Sequence, residues 1–343
     1  MSKGAGSNRT GRSSRSAVVF GGAGFVGSHL CEALLADGTA VVCVDNLVTG
    51  SLDNIEHLHR EARFRVVEHD ITEPLPRSIT RADPGQVFHL ASAASPDDYH
   101  RLPLETLHAG AVGTERALEL AREHRARFLL ASTSEVYGDP LVSPQSESYH
   151  GNVNPTGPRS VYDEAKRYAE ALTAAYRRTH GVDTAIARIF NTYGPRMRRD
   201  DGRMIPNFVC QALEGRSLTV TGSGLQTRSV CHVDDTVAGL LALVRSAHPG
   251  PVNIGNPDER TVLEIARAVA EVVGCDLTVA PCPPVEDDPQ RRCPDITVAR
   301  TALGWSPTVD LADGLTRTVR WFADTAPSSR PNPNTVFTGA AGG

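Results

Sequence analysis

The chain has 343 residues, enough for one large core or two lobes sharing an interface. With 40% hydrophobic and 22% charged residues it is an ordinary globular sequence, and a net charge of -5 excludes a general nucleic-acid binder. No apolar run approaches the ~20 residues that span a bilayer, and seven cysteines without Cys-x-x-Cys spacing read as reduced thiols in a cytoplasmic protein with no metal site.

Residues 1–14 are Ser/Gly/Arg-rich and read as a disordered tail. Ser16–Phe20 then predicts a strand, Ser28–Ala36 a helix and Thr39–Val44 a second strand. Further strands are expected over Phe64–Val67, Gln86–Leu90 and Arg127–Ala131, with a helix over Leu104–Glu123 between the last two. Val161–Thr179 predicts another helix and Asp183–Ile189 another strand. Strands joined by helical crossovers imply an α/β fold with a doubly wound parallel sheet. After Asn191 the texture changes: Arg, Asp, Pro and Gly crowd Gly194–Pro206, and a Pro-rich stretch covers Pro281–Pro294. The expected division is a Rossmann-type domain over 15–190, with returns to it near 229–256. A smaller C-terminal lobe takes 191–228 and 257–325, and 326–343 reads as a flexible tail.

Gly21, Gly24 and Gly27 fall in a G-x-x-G-x-x-G loop between the first strand and first helix. Small residues there let the backbone approach a pyrophosphate, which the positive helix end attracts. Asp45 closes the second strand eighteen residues beyond Gly27. A carboxylate in that place accepts ribose hydroxyls and repels a 2′-phosphate, so NAD is expected rather than NADP. Asp70 and Ile71, after the third strand, are placed to reach adenine, with a plain surface role for Asp70 an equal reading of the sequence alone.

Tyr162 and Lys166 form a Y-x-x-x-K pair, four residues apart on one helix face. Of 35 basic residues, only Lys3 and Lys166 are lysines, which makes the position conspicuous. A cation beneath a phenol favours the phenolate, a base for an alcohol that loses hydride. Thr133 and Glu135 follow the Arg127–Ala131 strand at its C-terminal end, where ligands of open α/β sheets bind.

From about Ala17 to Phe322 the chain resembles the UDP-glucuronate decarboxylases (UDP-xylose synthases) of the extended short-chain dehydrogenases. The segments that carry the likeness include GGAGFVGSHL, HLASAASP, LLASTSEVYGDP, NPTGPRSVYDEAKR, LTVTGSGLQTRS and DDPQRRCPDI. The resemblance implies oxidation at C4 of UDP-glucuronate, loss of CO2 and re-reduction to UDP-xylose. Tyr162 is then the base, Lys166 lowers its pKa, Thr133 positions the C4 oxygen, and Glu135 and Arg292 stand at C5 and the carboxylate. Phe25, Val26, Asn46, Thr49, Gly50, Leu90 and Ser92 join the glycines, Asp45, Asp70, Ile71, Tyr162 and Lys166 as cofactor contacts. Asn191, Arg203, Asn207, Arg228 and Arg292 become substrate contacts, helped by Gln226 and the 222–225 turn. The family pairs subunits through a four-helix bundle, for which the helices over 105–123 and 162–179, with Leu107, Leu118, Tyr168 and Leu172, are the candidates.

Two alternatives are weighed: a nucleotide-sugar 4-epimerase usually has a small neutral residue at the place of Glu135, and a 4,6-dehydratase needs an Asp–Glu pair where Ser134-Glu135 stands. The chain also departs from the family. His108-Ala109-Gly110 replaces a Lys-Thr-Asn triplet, Ala93 a proline, Val230-Cys231-His232 an aromatic-rich stretch, and Cys293 a lysine. Lost contacts of this kind imply that some UDP-4-keto-pentose escapes before it is reduced.

Overall fold

The computed structural model describes residues 16–283 and 291–325; the expected tails and the centre of the Pro-rich stretch lie outside the described residues. Six strands follow the predicted order: β1 (Ser16–Phe20), β2 (Ala40–Asp45), β3 (Phe64–Glu68), β4 (Gln86–His89), β5 (Arg127–Thr133) and β6 (Thr184–Ile189). With the strand Val252–Ile254 they build one parallel sheet, in the order Val252–Ile254, β6, β5, β4, β1, β2, β3. The near-continuous apolar runs of β1, β2 and β5 follow from burial on both faces. Strand order reverses between β1 and β4, where Phe20 pairs with both Val44 and His89. Ligands of such sheets enter at that switch point, beyond the carboxyl ends.

One face is covered by the helix α1 (Phe25–Ala36) and the helix Val233–Arg245, which bury Leu30, Leu34, Leu240 and Leu243. The helices Thr114–His124 and Ser160–His180 cover the other face through Ala117, Leu118, Ala121, Ala169 and Tyr176. Phe208, Val209, Ile265, Val269, Leu315 and Phe322 form a separate core for the smaller lobe. Phe25, at the start of α1, packs against both this core and the sheet's. Of the expected returns, 252–254 joins the sheet edge, whereas 233–245 is a helix lying on the sheet, and Cys231–His232 pairs with Thr192–Tyr193 outside it. No helix among the described residues is long and apolar enough to cross a membrane.

Two expectations change. The helix over 104–123 is three pieces: Pro103–His108, a wider π turn over Ala109–Gly113, and Thr114–His124. Gly110 explains the widening. A Cβ there would lie 2.8 Å from the Ala165 side chain and carbonyl oxygen, so the turn presses its bare α-carbon onto the Ser160–His180 helix. Leu118 is also not available for subunit pairing, because it is fully buried under the sheet. The exposed apolar side chains of this side are Leu104, Val112 and Tyr168, with Leu107 and Leu172 half-buried.

Candidate active site

A cavity of about 840 Å³ opens at the switch point and runs between the sheet's carboxyl ends and the smaller lobe. Gly21, Gly24, Phe25, Val26, Gly27, Thr49, Leu90 and Ser92 line its inner end. The loop glycines are required by their own packing. Gly21 has φ +79 and lies against the Ala91 backbone, and a Cβ on Gly27 would stand 2.0 Å from the Gly21 carbonyl oxygen. Gly24 caps α1 without a side-chain hydrogen bond, and the first turn contains no acidic residue. No acidic side chain of the first turn therefore competes for the N–H groups at the amino end of α1, which suits a pyrophosphate.

Asp45, Asn46, Gly50, Asp70 and Ile71 do not line the cavity but cluster beside it, around the ends of β2 and β3. Asp45 accepts the Ala23 and Leu47 N–H groups, each at 2.9 Å, and Gly50 lies against its carboxylate. Burial pushes its pKa up, and those amides hold it down in part. Asn46 donates to Asp70 at 2.9 Å, and Asp70 also binds the Thr72 amide and hydroxyl. Ile71 is buried against Gly113 of the π turn. The residues fit a dinucleotide: small ones where phosphates pass, and carboxylates where sugar hydroxyls stand.

At the mouth of β5, Thr133, Glu135, Tyr162 and Lys166 meet in the same cavity. The Thr133 hydroxyl is in hydrogen-bonding reach of the Tyr162 phenol. The Lys166 ammonium donates to the Ala131 carbonyl at 2.9 Å and stands 5.7 Å from the Tyr162 ring centroid. Among protein groups alone, burial wins over the expected activation: it pushes Tyr162 up to about 12, against the nearby Arg203 and the Thr133 hydrogen bond. Burial also lowers Lys166 to about 8.

Glu135 is the opposite case. Burial alone would raise its pKa, but the Arg292 and Arg159 guanidiniums hold it at about 2. Arg292 is only 2% exposed; it donates to the Ser134 carbonyl and, at 3.1 Å, to Glu135. A second-lobe strand thus reaches across to the end of β5.

The outer wall holds Asn191, Arg203, Asn207, Gln226 and Arg228. Arg203 stands 3.5 Å from Asp201, Asn207 donates to the Gly202 carbonyl at 3.0 Å, and Gln226 donates to Thr221 at 2.7 Å. The 222–225 turn itself stays off the cavity wall. Arginines so placed can bond two oxygens of a diphosphate at once.

Among the lining residues that sequence reasoning missed, Tyr99 and Arg159 touch the reacting centre. Tyr99 stacks on Tyr162 with ring centroids 5.4 Å apart and planes 7° from parallel. Arg159 bonds Glu135 directly. For Arg159 the signal existed: it precedes Tyr162 by three residues and Lys166 by seven, the spacing of one helix face. Tyr99 carries no such mark.

The match to known proteins covers nearly the whole of the described chain. Residues 18–318 match the family model described as GDP-mannose 4,6 dehydratase. UDP-glucuronic acid decarboxylase 1 of Xenopus tropicalis is 49% identical over 305 residues, which cover 89% of this chain and 71% of the relative. UDP-glucuronic acid decarboxylase 6 of Arabidopsis thaliana is 50% identical over 299 residues, 87% of this chain and 86% of the relative. Among solved structures, UDP-glucuronic acid 4-epimerase from Bacillus cereus, in complex with UDP-glucuronic acid and NAD, superposes with a TM-score of 0.78. It is 28% identical and covers 90% of this chain and 99% of its own.

Proposed function

This chain belongs to the UDP-glucuronic acid decarboxylases, within the GDP-mannose 4,6 dehydratase family of extended short-chain dehydrogenases, and from that membership and the site we infer the reaction that follows. It decarboxylates UDP-glucuronate with NAD as cofactor, passing through a UDP-4-keto intermediate to UDP-xylose. One observation carries the reading beyond membership: the buried Glu135–Arg292 ion pair stands in the same cavity as Thr133, Tyr162 and Lys166.

NAD bound along the glycine loop supplies the acceptor, and afterwards the donor, of hydride at C4. The loop and the open end of α1 hold its pyrophosphate, and Asp45 its ribose. Asn46, Thr49, Gly50, Asp70, Ile71, Leu90 and Ser92 enclose the rest. On the sugar side, Arg203 and Arg228 take the diphosphate, while Asn191, Asn207 and Gln226 fix the uridine end. Tyr162 accepts the C4 hydroxyl proton, with Thr133 holding the oxygen and the Lys166 charge favouring the phenolate. Once C4 is a ketone, the C5–C6 bond breaks as CO2 leaves, and its electron pair spreads onto the C4 oxygen. Thr133 and Tyr162 hydroxyls stabilise that enolate by hydrogen bonds. Arg292 holds the departing carboxylate, and the Glu135 carboxylate faces C5, where it orients the solvent water that delivers the proton C5 must gain. Tyr162 returns its proton to the C4 oxygen at the end.

Subunits pair in this reading through the face that carries Leu104, Val112 and Tyr168, two helices from each completing a four-helix bundle. The direct test of function is incubation of the purified chain with UDP-glucuronate and NAD, with gas and nucleotide products followed by mass spectrometry. Release of CO2 together with a UDP-pentose is expected. A product of unchanged mass, as from 4-epimerisation, would refute the assignment.

A further inference from the structure

No role above uses Arg159, although it bonds the carboxylate at the reacting centre. It immediately precedes the Ser160–His180 helix, and its carbonyl accepts the Tyr162 and Asp163 N–H groups at 3.1 and 3.2 Å. Its backbone therefore fixes the first turn that presents Tyr162. Its side chain leaves that helix to donate to Oε2 of Glu135, the same oxygen that accepts from Arg292. Both guanidiniums are almost enclosed, with side chains 16% and 2% exposed, so solvent screens neither bond strongly.

We propose that Arg159 is a positioning residue for the decarboxylation step, keeping the Glu135 carboxylate ionised and turned toward Arg292 so that it meets C5 of the sugar as an anion. This rests on the decarboxylase reading. Glu135 is faced by Arg292 and Arg228 from strands of the smaller lobe, by Arg159, Tyr162 and Asp163 around the first turn of the catalytic helix, and by Tyr99 from the Pro96–Arg101 helix. Asp163 is the internal comparison. It is buried within one helical turn of Arg159, Oδ1 has no hydrogen-bond partner, and burial and then Glu135 push it up to about 7. Glu135, with two guanidiniums bonded to it, is held at about 2. Asp163 lacks the two guanidinium hydrogen bonds that Glu135 accepts, and Arg159 supplies one of them.

The experiment follows CO2 release against pH for Arg159→Met and Arg159→Lys, each made alone and in a Glu135→Gln background. For Arg159→Met the acid limb of kcat should move up by about one to three pH units, the effect of one close opposite charge on a carboxylate. Arg159→Lys should recover part of that shift. Enzyme-bound NADH, read at 340 nm in the steady state, should rise as C4 oxidation outruns CO2 loss. In the Glu135→Gln background either change at 159 should alter kcat by less than about twofold, since the group it acts through is gone. An unmoved acid limb, or equal losses in both backgrounds, overturns the proposal and leaves Arg159 a purely structural residue. If Arg159→Met does not fold, the lysine variant and its double mutant decide the same question. A wild-type chain that releases no CO2 strikes the functional reading itself, which is a separate outcome.

Discussion

Lys166 offers a test in which stability and catalysis pull apart. The residue is 5% exposed, and burial alone lowers its pKa from 10.5 to about 8. In the unfolded chain the group still holds its proton up to about 10.5, so between those values the unfolded state binds more protons. The penalty is complete below pH 8 and is relieved as pH rises from 8 to 10.5, which means wild-type stability gains relative to a variant without the amine. At about 1.4 kcal/mol per pH unit the whole window is worth about 3 kcal/mol, and the part from pH 8 to 9.5 about 2 kcal/mol. Lys166→Met removes the titration while keeping an unbranched stem. It also strands the Ala131 carbonyl, but that loss does not depend on pH and cancels when the two pH values are compared. Titrations of tyrosines and cysteines remote from Lys166 cancel in the same way. Urea unfolding of both proteins at pH 7 and pH 9.5 measures the change in their difference. A difference that stays constant within about 0.5 kcal/mol would show that Lys166 is not held in a low-dielectric site, and with it would fall its role as a tuned charge beneath Tyr162.

Tyr162→Phe should lower kcat by about 10²–10⁴-fold while NADH, titrated by fluorescence, binds within twofold of wild type; a large loss of NADH binding would instead assign Tyr162 to the cofactor. On the proposed subunit pairing, Leu104→Glu with Tyr168→Glu should halve the mass seen in sedimentation, because both side chains are exposed; an unchanged mass refutes that pairing. Leu118→Glu should not separate folded subunits but destabilise the fold by more than about 4 kcal/mol, and an intact, merely monomeric Leu118→Glu protein would contradict its burial. Because Ala109 and Gly110 present no polar side chain next to the catalytic helix, turnover should release some UDP-4-keto-pentose with an equal amount of NADH; UDP-xylose alone, with no rise at 340 nm, refutes this.

Elements whose signal is local were legible in the residues. Apolar runs marked β1, β2 and β5, and the glycine spacing located the first turn, since a fully buried parallel strand and a phosphate loop each need particular residue types in sequence. Tyr162 and Lys166 were legible because four residues bring two side chains to one helical face. Arg159 lies on that same face, but its partner Glu135 is 24 residues earlier, and only the packing of the helix against β5 brings them together. Tyr99 depends on the Pro96–Arg101 helix being laid over Tyr162, which no periodicity encodes. Leu118 was misread for a related reason: leucines on a helix announce an apolar stripe, and its direction is decided by the sheet beneath. The break at Gly110 is visible as a glycine, but its cause is Ala165, 55 residues away, pressing on it.

The reach of Arg292 across the cavity has a consequence for how the enzyme comes into being. Its two bonds end on Ser134 and Glu135, more than 150 residues earlier in the chain. During synthesis Tyr162, Lys166 and Arg159 all emerge before Arg292, so the Glu135 carboxylate has one of its two guanidinium partners long before the other. The residues proposed to oxidise the sugar and the one proposed to hold its carboxylate thus lie far apart in the chain, and only the packing of the smaller lobe against the sheet brings them into one cavity.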